Sequence, residues 1–168
     1  MSKPKQPAIY CYSKLGHTRR AAKRLAEQTG AEFIPVVVAR YSFPGLWVVR
    51  ALFDVARKNT PPISNNFSDI SGRPWLVVAG PVWAGQLAPP VCSVLARLAG
   101  TLSPVGLLTT SGDASPPDKA YASARGILGH DFVACVNIEN AIENTPVADQ
   151  RLTEFADLLQ RREDKGVA

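Results

Sequence analysis

The sequence predicts an α/β protein in which a doubly wound, five-stranded parallel sheet carries helices on both faces, giving three layers. Short β-rich runs alternate along the chain with segments of helical periodicity, the pattern typical of such sheets. The run PWLVVAG at 74–80 is almost wholly apolar, as buried central strands are. The chain has 168 residues, enough for one core, so we expect a single domain spanning 1–168.

The first elements are a strand, a loop and a helix. Residues 8–13 form a β-rich run that ends at the loop KLGHT. From Thr18 onward apolar residues recur at helical spacing, and Gly30 provides a stop for this helix. Residues 31–38 predict a second strand, whose Pro35 suits an edge position because an edge strand needs fewer backbone donors.

The third strand at 74–80 is followed by a loop and a helix. Pro89 and Pro90 suit the first turn of this helix, since proline lacks the amide that a first turn leaves unpaired. Apolar residues then repeat at helical spacing, and these are Val91, Val94, Leu95 and Leu98.

The remaining elements continue the alternation. Strands are predicted at 104–110 and 131–138, with a helix at 119–128 between them and a last amphipathic helix from Pro146 to about Arg162. The apolar side of that last helix is predicted to hold Val147, Leu152, Phe155, Leu158 and Leu159. The closing residues EDKGVA are expected to be frayed.

The composition describes a soluble globular chain. Apolar residues make up 46% and charged residues 20%, and 14 prolines with 12 glycines indicate many turns rather than disorder. No uncharged apolar stretch approaches the roughly 18 residues of a membrane span. The start MSKPKQP lacks the apolar segment of a signal peptide. We therefore expect no transmembrane segment and a cytoplasmic location.

The net charge of +5 is unevenly distributed. Residues 1–60 carry 11 basic and 3 acidic side chains, net +8, whereas residues 61–168 carry 8 and 11, net −3. A positive field of this kind attracts nucleic acid, an anionic membrane or a small phosphorylated ligand. Because the chain has no interleaved basic and aromatic pattern and no nucleic-acid motif, the small phosphate is favoured and no nucleic acid is expected.

The cysteines indicate neither a disulfide framework nor a metal site. Cys11, Cys92 and Cys135 are widely spaced, without a CxxC pair or a nearby histidine cluster. Each lies in an apolar stretch, where burial raises the pKa of a thiol and makes it unreactive. We interpret all three as buried structural thiols and expect no bound metal.

Ligands of open parallel sheets bind beyond the carboxyl ends of the strands, which directs attention to three loops. They are SKLGHT at 13–18, PVWAGQ at 81–86 and TSGDAS at 110–115. The first loop has the composition of an anion cradle, because it offers two hydroxyls, a glycine and the start of a helix. The alternative interpretation is that Ser13 and Thr18 only cap the helix.

Other phosphate-binding loops do not fit the first segment. GxxxxGK[ST] and GxGxxG are both absent, which argues against a nucleotide triphosphatase and against the Rossmann fingerprint. A cysteine phosphatase is also rejected, because seven residues separate Cys11 from Arg19, too many for that loop.

The second loop places a large aromatic residue, Trp83, just beyond a buried strand. A flat indole at this point can form a stacking wall for a planar heterocycle, with ring contacts adding about 0.5–1.5 kcal/mol. The alternative is a tryptophan that merely fills the space between the loop and a helix.

Two segments carry a resemblance to a known family. YSKLGHTRRAAKRLAEQTGA at 12–31 resembles the phosphate loop and first helix of the flavodoxin-like family, and GPVWAGQLAPPVCSVL at 80–95 resembles the loop and helix after its third strand. TSGD at 110–113 matches the third loop, so the similarity covers nearly the whole chain in strand order. The resemblance implies a flavodoxin-like sheet with strand order 2-1-3-4-5.

The resemblance also implies noncovalently bound FMN. Its phosphate would be held without a metal by Ser13, Lys14, Leu15, Gly16, His17 and Thr18. Its ring would lie between Pro81, Val82, Trp83, Ala84 and Gly85 on one side and Thr110, Ser111, Gly112 and Asp113 on the other. Many members have an uncharged phosphate loop, whereas Lys14 and His17 would add charge to this one.

Two functional classes follow from the resemblance. As a flavin-dependent oxidoreductase, the protein would pass electrons from NAD(P)H to a quinone or similar acceptor. As a carrier or binding protein, it would shuttle electrons between protein partners or hold FMN without turnover.

The pI of about 9.3 does not suit the acidic docking face of small carriers in the family. Ala84 stands where such carriers have a glycine, and alanine disfavours positive φ. No general acid or base is predicted, and Asp113 is interpreted as a loop residue or a neighbour of the ribityl chain.

An apolar, helix-length run between about 40 and 66 interrupts the alternation, and we interpret this segment as an insertion. Its aromatic residues are Tyr41, Phe43, Trp47 and Phe53. They would cover the flavin pocket, contact a second subunit in a homodimer, or pack on the sheet. Three basic residues in the same run suggest a membrane-surface helix as a weaker alternative.

Overall fold

Six strands and five α-helices lie in the residues described by the computed structural model, which are 5–42, 45–113 and 116–166. The strands are β1 Ala8–Cys11, β2 Glu32–Pro35, β3 Leu76–Trp83, β4 Gln86–Leu87, β5 Val105–Ser111 and β6 Cys135–Glu139. The helices are α1 His17–Thr29, α2 Leu46–Arg57, α3 Pro89–Leu98, α4 Asp118–Leu128 and α5 Pro146–Gly166, with a short 3-10 helix at Ala39–Tyr41.

Five of the strands form one parallel sheet in the order β2-β1-β3-β5-β6. The two-residue strand β4 pairs antiparallel with the end of β3 and lies off this path. Counted without β4, the order is the predicted 2-1-3-4-5, so the fold class is confirmed and β4 is a small addition. In the described part of the chain β2 pairs with β1 alone, which places Pro35 at a sheet edge as predicted.

The sheet separates two apolar cores. Successive side chains of a strand point to opposite faces, so Tyr10 of β1 packs in the core with α3 and α4, and its neighbour Ile9 packs in the core with α1 and α5. Strand β5 is buried along its whole length, and β3 is buried over its first five residues. Burial on both faces explains why β3 is almost continuously apolar in sequence, whereas β5 ends in the buried hydroxyl residues Thr109, Thr110 and Ser111.

Two glycines in the central strands allow helices to approach the sheet closely. A Cβ atom at Gly80 would overlap the side chain of Val91 on α3. A Cβ atom at Gly106 would lie 2.8 Å from Leu159 Cδ2 on α5. The close approach at Gly80 brings the start of α3 directly against the loop that follows β3.

Helix α5 differs from its predicted form in two ways. Val147 and Leu158 were predicted on its apolar side, but they are 49% and 48% exposed. The buried side consists of Ala148, Leu152, Phe155, Ala156 and Leu159. The helix also continues to Gly166, through most of the segment expected to be frayed, and the last two residues lie outside the described range.

The segment predicted as an insertion carries the crossover from β2 to β3. These two strands lie on opposite sides of β1, so the chain must cross the sheet between them, and the 3-10 helix and α2 lie on that path. The segment is therefore the connection that this strand order requires. Phe43 lies outside the described residues. No helix in the described ranges is long and apolar enough to cross a membrane.

Candidate functional site

Two adjoining cavities open at the carboxyl ends of the parallel strands. The large cavity measures about 490 Å³ and the small cavity about 210 Å³. They share the lining residues Leu15, Val82, Trp83, Ser111 and Gly112, so they are two parts of one cleft. The sheet order reverses between β1 and β3, and the cleft lies at this switch point, where open parallel sheets bind ligands.

The three predicted loops meet in this cleft. Of the 15 residues predicted to contact a ligand, 14 line one cavity or both: Ser13, Lys14, Leu15, His17, Thr18, Pro81, Val82, Trp83, Ala84, Gly85, Thr110, Ser111, Gly112 and Asp113. The remaining one, Gly16, turns the first loop at a φ of 96°. Residues 114 and 115 of the third loop lie outside the described ranges.

The first loop leaves the start of α1 open to a ligand. The first turn of a helix has amides without an intrahelical acceptor, and no described side chain caps α1. Ser13 Oγ instead accepts a hydrogen bond from the Gly16 amide at 3.1 Å, which closes the loop upon itself. Local capping by Ser13 is therefore not observed, and the helix end faces the small cavity with its positive dipole.

Thr18 connects the first loop to the third. Its hydroxyl oxygen lies 2.7 Å from the hydroxyl oxygen of Thr110, and both residues are buried. This contact fixes the start of α1 against the end of β5. Both residues line the small cavity, so its base is hydroxyl-rich.

The ammonium group of Lys14 is directed toward the crossover. Lys14 Nζ donates to the Tyr41 carbonyl at 2.7 Å and lies 5.5 Å from the centre of the Trp47 ring. In this arrangement the Lys14 side chain joins the loop to α2, while the residue also lines the small cavity.

His17 and Arg20 bind a buried carboxylate that the sequence analysis did not identify. Glu143 Oε2 lies 2.5 Å from His17 Nδ1, and Arg20 Nε donates to Glu143 Oε1 at 2.5 Å. The bond from Arg20, assisted by His17, outweighs burial and lowers the pKa of Glu143 below its usual range. Glu143 lies in the loop between β6 and α5, far from the first loop in sequence, and no local pattern marks it.

Trp83 is supported on one side by other aromatic residues. Its ring meets those of Tyr12 and Tyr41 edge-on, with centroids 5.9 and 6.1 Å away, and it lies 6.1 Å from Trp47 at a tilt of 48°. Trp83 remains partly exposed and lines both cavities. The indole thus packs among neighbours and also forms a wall of the cleft.

Helix α2 forms a further wall of the large cavity. The residues it contributes are Trp47, Val48, Ala51, Leu52 and Val55. Their spacing follows one helical face, a signal in the sequence that could have identified them. Among the described residues of α2 only Ala51 and Asp54 are buried. Of the roles considered for this segment, covering the cleft agrees with the structure.

The loop after β3 is a two-residue hairpin turn. Trp83 pairs with Gln86, and the intervening Ala84 and Gly85 have φ angles of 48° and 74°. Positive φ at both central positions is the geometry that tight β-hairpins prefer. Ala84 thus adopts a conformation that alanine disfavours, and the pairing of β3 with β4 holds it there.

The third loop is held by hydrogen bonds from β6. Asn137 Nδ2 donates to Ser111 Oγ at 3.0 Å, and Ser111 Oγ donates to the Asp113 carbonyl at 2.7 Å. Asn140 follows β6 and lines the small cavity. Asn140, like Pro116 and Pro117 at the large cavity, was not identified from the sequence.

The cysteines and other metal-binding residue types form no reactive centre in the part of the chain that the structure covers. Burial raises the pKa of Cys11 to about 12 and those of Cys92 and Cys135 to about 11. All three are free thiols; Cys11 is buried as predicted, whereas Cys92 and Cys135 are only partly buried. No cluster of three or more His, Cys, Asp or Glu side chains suited to a metal ion occurs among the described residues.

No family model matches the sequence, and no curated protein is similar enough to match it. Solved structures do match. A flavoprotein of Bacteroides eggerthii DSM 20697 gives a TM-score of 0.75 at 18% identity, covering 93% of this chain and 98% of that chain. A flavoprotein of Lactobacillus acidophilus NCFM, in complex with FMN, gives 0.66 at 22% identity, covering 80% and 93%.

A flavodoxin from Megasphaera elsdenii, in its two-electron reduced form, gives a TM-score of 0.56 at 15% identity, covering 94% of this chain and 99% of that chain. Identities at this level establish architecture. The chain has a flavodoxin-like fold, as the resemblance of its loops implied.

Proposed function

We propose that this protein binds FMN noncovalently and acts as a redox protein. The observation that carries the proposal is the division of the cleft into two unlike parts. The small cavity combines hydroxyl groups with an uncapped helix start, whereas the large cavity is walled by aliphatic and aromatic side chains. FMN has the same division into an anionic phosphate arm and a flat, largely apolar ring. The flavoprotein of Lactobacillus acidophilus, similar in fold, was solved with FMN.

The small cavity would hold the phosphate without a metal. The open amides at the start of α1 and the helix dipole favour an anion at this point. Ser13 and Thr18 add hydroxyl groups that can donate to phosphate oxygens. The hydrogen bond between Thr18 and Thr110 holds the first loop at the end of β5. The loop would therefore lose little conformational freedom when the phosphate binds.

The large cavity would hold the ring. Trp83 offers a stacking surface, and the apolar residues of α2, which adjoin it through Trp47, would shield the ring from water. Bound FMN would supply reversible one-electron and two-electron transfer. Asp113 is the only titratable side chain among the described residues that line this cavity, so the chain would contribute binding and orientation more than proton transfer.

As electron donor and acceptor we propose NAD(P)H and a quinone or similar planar acceptor. The basic first third of the chain supports an anionic nucleotide, since Arg50, Arg57 and Lys58 are exposed on and just after α2, the helix that walls the large cavity. The apolar walls suit an aromatic acceptor. NAD(P)H would give up a hydride, and the quinone would take up two electrons and two protons, the second proton coming from solvent.

A carrier role is the second candidate, and one observation favours it. No lysine or arginine lies among the described residues that line the large cavity, so nucleotide phosphates would have to bind outside it. A carrier needs no such subsite, because it exchanges electrons with protein partners.

Calorimetric titration tests cofactor binding. FMN should bind equally well with and without a chelator. Ser13→Ala combined with Thr18→Ala should weaken FMN about a hundredfold or more, since each of the two lost bonds to a charged group costs roughly 1.5–3 kcal/mol. Riboflavin, which lacks the phosphate, should bind the variant almost as well as the parent. Ser68→Ala with Thr153→Ala, two exposed positions outside the cleft, is the matched control. Equal losses for FMN and riboflavin would contradict the phosphate assignment.

Mixing the FMN-loaded protein with NADH or NADPH, with and without a quinone, separates the two redox roles. An oxidoreductase should lose flavin absorbance on adding the nucleotide and regain it on adding the quinone. The nucleotide reaction should slow as salt rises, because salt screens the attraction to its phosphates. Retained FMN binding with no reaction toward either nucleotide at low salt would assign the protein to the carrier class.

A further inference from the structure

His17 lies between the small cavity and the buried carboxylate of Glu143. The side chain of Glu143 is 3% exposed and does not line the cavity, whereas His17 does. An ionised carboxylate can only accept a hydrogen bond, so the 2.5 Å contact with Glu143 Oε2 requires the proton of His17 on Nδ1. The other ring nitrogen, Nε2, lies on the side of the ring turned away from Glu143.

The ionised state of Glu143 is secured by its neighbours. Arg20 donates to Oε1 through Nε and to Oε2 through Nη2 at 3.1 Å, and these bonds are the main reason why the pKa of Glu143 is lowered. Arg24 Nη2 donates to the Glu143 carbonyl at 2.5 Å and holds the loop against α1. Glu143 therefore presents a fixed negative charge to His17 throughout the neutral pH range.

Few other charges face the imidazole. Arg20 Nη2 lies 3.1 Å from His17 Nδ1 and opposes a positive ring, but the Arg20 side chain is 52% exposed, so solvent screens it. Lys14 is the other ionisable residue among the described lining of the small cavity, and its ammonium is bonded to the Tyr41 carbonyl. The strongest fixed partner of the ring is thus Glu143.

We propose that His17 takes up a proton at Nε2 when a phosphate monoester dianion enters the small cavity, with Glu143 as the positioning residue that holds the ring and balances its charge. A neutral ring protonated on Nδ1 would carry a lone pair on Nε2, which repels an anion that comes within hydrogen-bond distance of it. Addition of a proton from solvent replaces this repulsion by a charge-assisted N–H donor. The inference rests on the proposed binding of FMN. It specifies that His17 is protonated when the first loop binds the phosphate.

Calorimetry at pH 8 in two buffers of different ionisation enthalpy measures this proton directly. The second ionisation of a phosphate monoester, with a pKa of about 6, is complete at this pH, so any uptake belongs to the protein. We expect FMN binding to take up a clear fraction of one proton, and riboflavin binding to take up none. FMN affinity should fall as pH rises above 8, while riboflavin affinity stays constant.

Two substitutions assign the proton to this pair. His17→Gln and Glu143→Gln should each abolish the uptake and the pH dependence and weaken FMN roughly tenfold, the effect of one charge-assisted bond. Retained riboflavin binding would show that each variant is folded. Asp149→Asn is the matched control, because it breaks the ion pair with Arg24 on the same side of α1 without touching either cavity.

FMN binding without proton uptake, or uptake that persists in His17→Gln, would overturn the proposal. Uptake that is unchanged in Glu143→Gln would remove Glu143 from it as positioning residue. If neither FMN nor riboflavin binds the parent protein, the proposed function itself has failed, an outcome distinct from FMN binding without a proton.

Discussion

The phenolic hydroxyl of Tyr41 donates to Asp54 Oδ2 at 2.7 Å and joins the 3-10 helix to α2 at a fully buried carboxylate. Arg40 donates to both carboxylate oxygens, at 2.7 and 3.0 Å, and Asn59 Nδ2 donates to Oδ1 at 3.0 Å. The only other buried residue described in α2 is Ala51. Asp54 is thus the anchor of the helix that walls the large cavity.

Removing the charge of this anchor should destabilise the protein. Asp54→Asn keeps the shape but replaces bonds to a charged acceptor, so we expect a loss of about 2–3 kcal/mol in the free energy of unfolding. Urea denaturation followed by circular dichroism measures it. The exposed Asp157→Asn is the control and should change the value little. An Asp54 variant as stable as the parent would show that α2 does not depend on this carboxylate.

The same carboxylate predicts loss of stability in acid. Burial acts to raise the pKa of Asp54, but bonds from Arg40, Asn59 and Tyr41 outweigh it, and the pKa lies below its usual range. A carboxyl group whose pKa is lower in the folded state stabilises the fold above its unfolded pKa, about 3.9, and this contribution is lost as pH falls through the folded pKa. The urea midpoints of parent and Asp54→Asn should therefore converge between about pH 4 and pH 2. A constant difference across that range would contradict the assignment.

Glycine at the hairpin turn should stabilise the fold. Ala84 has a φ of 48°, a conformation that costs an L-residue roughly 1–2 kcal/mol and glycine almost nothing. After the greater entropy of glycine in the unfolded chain is deducted, Ala84→Gly should raise the free energy of unfolding by about 0.5–1 kcal/mol. Ala99→Gly, at a φ of −54°, is the matched control and should lower it. Equal losses at both positions would argue against a strained turn.

Bound FMN should be nearly dark and should brighten when Trp83 is replaced. Stacking on an indole quenches flavin emission, and Trp83 lines both cavities. We expect several-fold brighter emission from FMN bound to Trp83→Ala, with Trp83→Phe between the two. Fluorescence of the bound flavin at saturating protein measures it. Unchanged emission with retained binding would place the indole away from the ring.

The thiols should be inert in the folded protein. The pKa of Cys11 is raised to about 12 and those of Cys92 and Cys135 to about 11, in each case chiefly by burial, so little thiolate exists near pH 8. A disulfide reagent such as DTNB should react slowly with the native protein and rapidly with three thiols in denaturant. One fast-reacting thiol under native conditions would show that its neighbourhood is more open than the structure indicates.

The sheet could be predicted because its signals are local. The central strand at 74–80 is an almost unbroken apolar run, and the helices show their own period, so the alternation and the edge position of Pro35 could be inferred from short segments. The three loops could be predicted for the same reason, since the end of a strand and the residues after it are neighbours in sequence.

Contacts between residues that lie far apart in the sequence could not be predicted from it. Glu143 reaches His17 and Arg20 from 126 and 123 residues away, and nothing in its own segment marks it as their partner. The residues of α2 that line the cleft share one helical face, but the sequence alone does not place that face against the strand ends. Val147 and Leu158 were misplaced because the spacing of α5 allows more than one apolar face, and packing against the sheet selects the face that contains Leu152.

Helix α2 has few buried residues, and this affects how long a ligand remains bound in the cleft. Ala51 and Asp54 are the buried residues of α2 and Trp47 packs partly buried against the core, so we expect this helix to open at a smaller free-energy cost than the whole domain unfolds. The rest of the cleft is built on strand ends and on α1, whose packing against the sheet is extensive. We therefore expect entry and release of a ligand to depend on local opening of this wall, so that the residence time of a ligand differs from the lifetime of the fold.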